Sequence, residues 1–274
     1  MAPRYSVPVL GIALLLLVSS TSAIDAGRHS STFGYVGSNG PGKWGSLSPK
    51  FVTCSNGKHQ TPVDIVKGQV VRNKRFEPLP RDYNPVNATL VNNGFNIEIR
   101  FDEHVGVLVI NGKNYTLKQV HYHTPSEHRI DGIQFPAEQH LVHQSADGNF
   151  SVVSILYKYG APDSFLRKIK SNLGELAKDK CAGDEEAHIP LGIMDTKHMK
   201  RKTRKYYRYL GSLTTPPCTE NIIWNILGKV RSISPDQVQD LKAPLASSCK
   251  DNSRPVQPLN GRKIELYDEL DAKN

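Results

Sequence analysis

The chain has 274 residues, of which 38% are hydrophobic and 22% charged, and a formal net charge of +9. That composition suits a soluble globular protein, and beyond the first residues no stretch is apolar enough to cross a membrane. A basic surface favours acidic partners such as wall polysaccharide or anionic membranes. The densest basic cluster, Lys197 to Lys205, has neither interleaved aromatics nor a nucleic-acid module around it. It reads as a solvated loop, and nucleic acid is excluded as a partner.

The first 23 residues stand apart. Arg4 precedes an apolar run from Val7 to Val18, and small residues from Ser19 to Ala23 follow. The run is short for a bilayer span, and its small-residue end suits signal peptidase, so residues 1–23 read as a signal peptide rather than an uncleaved anchor. Residues 24–274 carry no repeat and no linker and are read as one domain. The expected route is secretory, with no stable membrane span, and no oligomeric state is read from the sequence.

Strand-like runs then dominate. Ala88–Val91, Asn96–Phe101, Gly106–Ile110 and Tyr115–Thr124 are β-branched or alternating, with turn residues between them. Asn111-Gly112 predicts a tight hairpin. Phe150–Tyr159 and Asn221–Val230 are further strand candidates. Helix signals are few. Asp163 is placed to cap a helix whose apolar face is Phe165, Leu166, Ile169, Leu173 and Leu176. Ser234-Pro-Asp-Gln237 has the form of a capping box with Pro in the first turn. The reading is a mainly β domain with a few short helices.

Asn87, Asn114 and Asn149 begin glycosylation sequons, which fits a secreted chain. Four cysteines, Cys54, Cys181, Cys218 and Cys249, suggest disulfides in an oxidising compartment. None has CxxC spacing, and four cysteines allow three pairings.

Five of the ten histidines lie between His121 and His143. In a strand, residues two apart share a face, so His121 and His123 can converge on one metal. If the following strand pairs antiparallel, His140 can complete the set. Three neutral imidazoles suit zinc and leave one position open, the arrangement of a catalytic site. Gln119 and Glu138 each sit two residues before a candidate ligand and could hold its ring from behind. His128 and His143 read as structural histidines, and no HExxH protease motif is present.

The stretch from Gln119-Val-His-Tyr-His through Ser126-Glu-His to Ala137-Glu-Gln-His-Leu-Val-His143 resembles the α-carbonic anhydrase family. So do Gln60–Ile65, Tyr209–Cys218 and Arg254–Leu259. The blocks keep family order over nearly the whole mature chain, and the wording around Tyr122–His128 is similar to the plant branch. The resemblance implies a central twisted, mostly antiparallel sheet with a conical active-site cleft. It implies Zn2+ on His121, His123 and His140, and reversible hydration of carbon dioxide by a zinc-bound hydroxide. Thr214 would accept a hydrogen bond from that hydroxide and donate one to Glu127, which is acceptor-only when ionised. Thr215 and Tyr35 would belong to the ordered-water side, and Val142, Val152, Leu213, Ile222 and Trp224 to the apolar substrate wall. Cys54 and Cys218 would form a disulfide; a Cys181–Cys249 bridge has weaker support. Phe95 stands where the family often has a proton-shuttling histidine. The competing reading is a weakly active storage or binding protein on the same fold, which the presence of all three ligands with Glu127 and Thr214 disfavours.

Overall fold

A computed structural model describes residues 33–178, 186–200 and 202–270. The apolar leader, His29 and Cys181 lie outside the described residues. The β-branched runs become strands of a 13-stranded, mixed but mostly antiparallel sheet. Its main path starts at Ala187–Met194 and passes through Val86–Asn92, Ile97–Phe101, Lys113–His123, Ala137–Gln144 and Phe150–Tyr159. It continues through Glu220–Leu227, Lys205–Ser212 and Glu265–Asp268 to Val71–Arg72. Parallel pairing occurs between Phe150–Tyr159 and Glu220–Leu227 and at the far edge. The tight turn at Asn111-Gly112 has φ of 50° and 77°, the left-handed pair that a two-residue hairpin of matching twist requires.

Alternation along the central strands gives the sheet two apolar faces. Leu141, Val153, Ile155 and Tyr157 point into the larger core, which also takes in Phe165, Leu166, Leu173 and Leu176. Val142, Val152 and Leu156 point the other way, into a smaller core with Tyr209, Trp224 and Ile226. The smaller core lies on the face that also carries His140, because Val142 is two residues further along the same strand.

One local expectation changes. The helix expected from Asp163 to Leu176 is two short helices, Ser164–Lys168 and Lys170–Leu176, separated at Ile169 (φ −98°, ψ 12°). Asp163 caps the first through Phe165 N and Leu166 N. The break leaves Phe165, Leu166, Ile169, Leu173 and Leu176 all buried, so packing is kept while helical continuity is lost. The strand Ala187–Met194, which was not among the strands read from the sequence, contains Pro190. It is an edge strand, with its register shifted between Pro190 and Gly192 and Gly192 at φ +66°. A bulge at an edge is where a residue lacking an N–H is tolerated. Ser234 and Gln237 form the expected capping box of the Pro235–Lys242 helix.

Candidate metal centre

Two adjacent strands bring the histidines together. Antiparallel pairing of Lys113–His123 with Ala137–Gln144 sets His140 directly opposite His121 and Glu138 opposite His123. The next strand over sets Ser154 opposite His140 and Val152 opposite Val142. One row across the sheet therefore reads His121, His140, Ser154. The neighbouring row reads Gln119, Val142, Val152, Trp224.

Each of the three rings is anchored on one nitrogen. His121 Nδ1 lies 2.8 Å from Gln119 Oε1, His123 Nδ1 2.6 Å from the Asn252 carbonyl oxygen, and His140 Nε2 2.7 Å from Glu138 Oε1. A carbonyl and a carboxylate only accept, so His123 carries its proton on Nδ1 and His140 on Nε2. The opposite nitrogens, His121 Nε2, His123 Nε2 and His140 Nδ1, are left as lone-pair donors. The three rings offer ligand atoms within 4.8 Å of one another. His123 Nε2 is buried without a hydrogen-bond partner, as is Glu127 Oε2 at 3.4 Å from it. Burial is the leading effect on all three histidine pKa values. It pushes His121 well below the usual range, with the neighbouring His123 and His140 adding to the shift, pushes His123 down to about 4, and lowers His140. The rings are neutral at pH 7. An orphaned buried lone pair and three converging neutral imidazoles fit a zinc ion with one coordination position left over.

Glu138 supports more than one ring. It is fully buried and accepts from His140 Nε2, His128 Nδ1, Ser154 Oγ and the backbone N–H groups of Glu127 and His128. Burial alone would raise its pKa, but its interactions with His128 and His140 hold it well below the usual carboxylate range. His128 continues the chain to Tyr209 Oη at 2.7 Å. Gln119 and Glu138 stand behind His121 and His140, whereas the Asn252 carbonyl and the part His128 plays in fixing Glu138 had no signal in the sequence reading.

Glu127 lies beside His123 with its carboxyl pushed up to about 7 by burial; the nearby His140 ring, the Arg254 N–H and the Thr214 hydroxyl pull the other way. Thr214 sits in a loop closed at both ends, by Leu213 N to Thr219 O and by Cys218 N to Thr215 O, each 2.9 Å. Cys218 is disulfide-bonded to Cys54. Cys249 is buried. Val142, Val152, Ile222 and Trp224 belong to one cluster against which Leu213 packs. The Trp224 ring is 4.9 Å from that of His140, and its Nε1 donates to the Ser212 carbonyl. Tyr35 is buried, its hydroxyl without a partner and its pKa raised first by burial and then by the Glu127 charge. Thr215 is half-buried. Phe95 is half-buried too, packed on Phe33 at 5.0 Å. His143 is a core histidine bonded to Tyr83 Oη. Asn87, Asn114 and Asn149 are exposed.

The mainly β fold carries a three-histidine cluster that could hold a metal ion, beside an apolar wall, and comparison with known proteins places that fold in a family. Residues 39–268 match the family described as eukaryotic-type carbonic anhydrase. Alpha carbonic anhydrase 7 of Arabidopsis thaliana is 42% identical over 228 residues, covering 83% of this chain and 81% of the relative. Dioscorin DB3S of Dioscorea polystachya is 37% identical over 261 residues, covering 94% and 96%. A crystal structure of dioscorin complexed with ascorbate superposes with a TM-score of 0.82 at 37% identity, covering 87% of this chain and 98% of that one. The α-carbonic anhydrase of Thermovibrio ammonificans in complex with sulfanilamide gives 0.75 at 34% identity, covering 87% and 99%. The chain belongs to the eukaryotic-type α-carbonic anhydrase family.

Proposed function

We propose that this chain is a zinc-dependent enzyme that reversibly hydrates carbon dioxide to bicarbonate and a proton. The observation that carries the proposal is the set of three neutral imidazoles, each anchored from behind, whose free nitrogens converge beside an apolar wall. His121, His123 and His140 would hold the metal, which would supply a nucleophile at neutral pH by lowering the pKa of water to about 7. Val142, Val152, Leu213, Ile222 and Trp224 exclude water and accept the apolar substrate. When ionised, Glu127 has no hydrogen to give, and the Thr214 hydroxyl then donates to it. The Thr214 oxygen then offers only lone pairs, which hold the proton of the attacking group and turn that group's own lone pair toward carbon dioxide. Thr215 and Tyr35 border the water side of the site.

Residues 1–23 act as the signal peptide of a secreted chain, 24–274 form one domain, and Asn87, Asn114 and Asn149 are open to glycosylation. The likeness to dioscorins supplies the competing reading, a weakly active storage or binding protein, which predicts a folded chain without stoichiometric zinc. Thr214→Ala tests the enzyme directly. Zinc content should stay at wild type while kcat/KM for hydration falls on the order of a hundredfold, the usual cost of losing one transition-state interaction. Wild-type turnover in a verified Thr214→Ala preparation would refute the relay.

A further inference from the structure

We infer that Arg254 is a positioning residue whose guanidinium fixes the Thr214 loop relative to Glu127. The inference rests on the proposed hydration activity. Arg254 is 2% exposed. A buried cation is costly unless its donors are well satisfied. Here they go to three carbonyl oxygens on two chain segments, Cys54 and Gln60-Thr61. Nη1 donates to Gln60 Oε1 at 2.9 Å and to the Thr61 carbonyl at 2.8 Å, and Nη2 to the Cys54 carbonyl at 3.0 Å. The guanidinium carbon lies 5.7 Å from the Trp44 ring centroid.

Those segments are the ones from which the Thr214 loop hangs. Before Thr214, Ser212 N donates to Thr61 Oγ1 at 2.8 Å, and Thr61 N donates to Ser212 Oγ at 3.0 Å. After it, Cys218 is joined to Cys54 by the disulfide, and its carbonyl accepts from Gln60 Nε2 at 3.2 Å. The guanidinium thus grips the supports of both ends of the loop. The backbone N–H of the same residue donates to Glu127 Oε1 at 3.0 Å. One residue holds the acceptor of the Thr214–Glu127 pair through its main chain and the frame of the donor through its side chain. A substitution at 254 keeps the N–H and removes only the guanidinium, which separates the two roles.

A packing residue would affect stability alone; a positioning residue acts through the pair it aligns. A misplacement of about 1 Å remote from the chemistry costs up to about a hundredfold in rate. Arg254→Met should therefore lower kcat/KM for hydration roughly tenfold to a hundredfold, with zinc still bound at the wild-type level. The amide NMR signals of Thr214 and Glu127 should move while those of Ser164–Lys168 stay in place. In a Thr214→Ala background the same substitution should cost almost nothing further, because the pair it aligns is already broken. Arg254→Lys keeps the charge but not the fork that reaches all three carbonyls, and provides the test by itself, with the same expected loss, if Arg254→Met does not fold. A loss of the same size with and without Thr214, or unchanged turnover in a folded, zinc-loaded variant, would overturn the inference while leaving the hydration activity standing. A zinc-loaded wild type without hydration would overturn both.

Discussion

Replacing Glu138 with glutamine removes one charge and almost no volume, yet five donors point at that carboxylate. Oε1 accepts from His128 Nδ1, His140 Nε2 and Ser154 Oγ, and Oε2 from the N–H groups of Glu127 and His128. An amide must put its NH2 at one of these two places. At the Oε2 place it strands two buried backbone donors. At the Oε1 place it faces His140 Nε2, which can accept only by moving its proton to Nδ1, and that removes the lone pair offered to the metal. Each stranded buried donor costs about 1–3 kcal/mol, so two cost about 2–6 kcal/mol of folding stability in the first orientation. In the second, the loss falls on zinc, where weakening the support behind a ligand typically costs about 10–100-fold in affinity. Urea unfolding of the metal-free chain and chelator competition for zinc measure the two losses. Glu138→Gln should move at least one of them by the stated amount. Unchanged stability together with unchanged zinc affinity would refute the role assigned to Glu138.

His198, stacked on Phe165 at 4.1 Å, has its pKa pushed down to about 4, chiefly by burial. The unfolded chain takes up that proton first as pH falls below about 6.5, so the stability contribution is complete above that pH and is lost on the way down to about 4. Between about pH 7.5 and pH 5 the loss is about 2 kcal/mol. His198→Gln should lack it, and urea unfolding of both chains at the two pH values checks the difference; equal pH dependence would contradict the assignment. Phe95 has no titratable group, and proton release from an acid of pKa about 7 to bare water runs at about 10²–10³ s⁻¹. Turnover at low buffer should therefore lie well below the about 10⁶ s⁻¹ of fast members and rise steeply with imidazole. Phe95→His should raise it without changing the bond-forming step. A buffer-insensitive rate already near about 10⁶ s⁻¹ would point to another proton path.

What the sequence made legible is what local rules encode. His121 and His123 are two apart and so share a strand face, Asn111-Gly112 dictates its turn, and Ser234 with Gln237 caps its helix. The rear anchors Gln119 and Glu138 were readable because each lies two residues from its ring on the same face. The Asn252 carbonyl was not readable, because every residue has one and only the fold decides which points at His123. The same holds for Arg254, whose partners Cys54 and Gln60 lie some two hundred residues away in sequence. The bond from His128 to Glu138 depends on how the chain between two strands turns back, which no periodicity reports. The break at Ile169 was not readable because tertiary packing overrode local propensity there.

The central claim is that zinc on His121, His123 and His140 makes this chain a carbon dioxide hydratase. Stopped-flow hydration by the purified mature chain, followed before zinc removal, after it, and on re-addition of the metal, tests that claim most directly. The account predicts about one zinc per chain, the stoichiometry of a single three-histidine site, with hydration lost on chelation and restored by one equivalent. A folded chain that binds no zinc, or one whose hydration rate is the same with the metal verifiably removed, would contradict it.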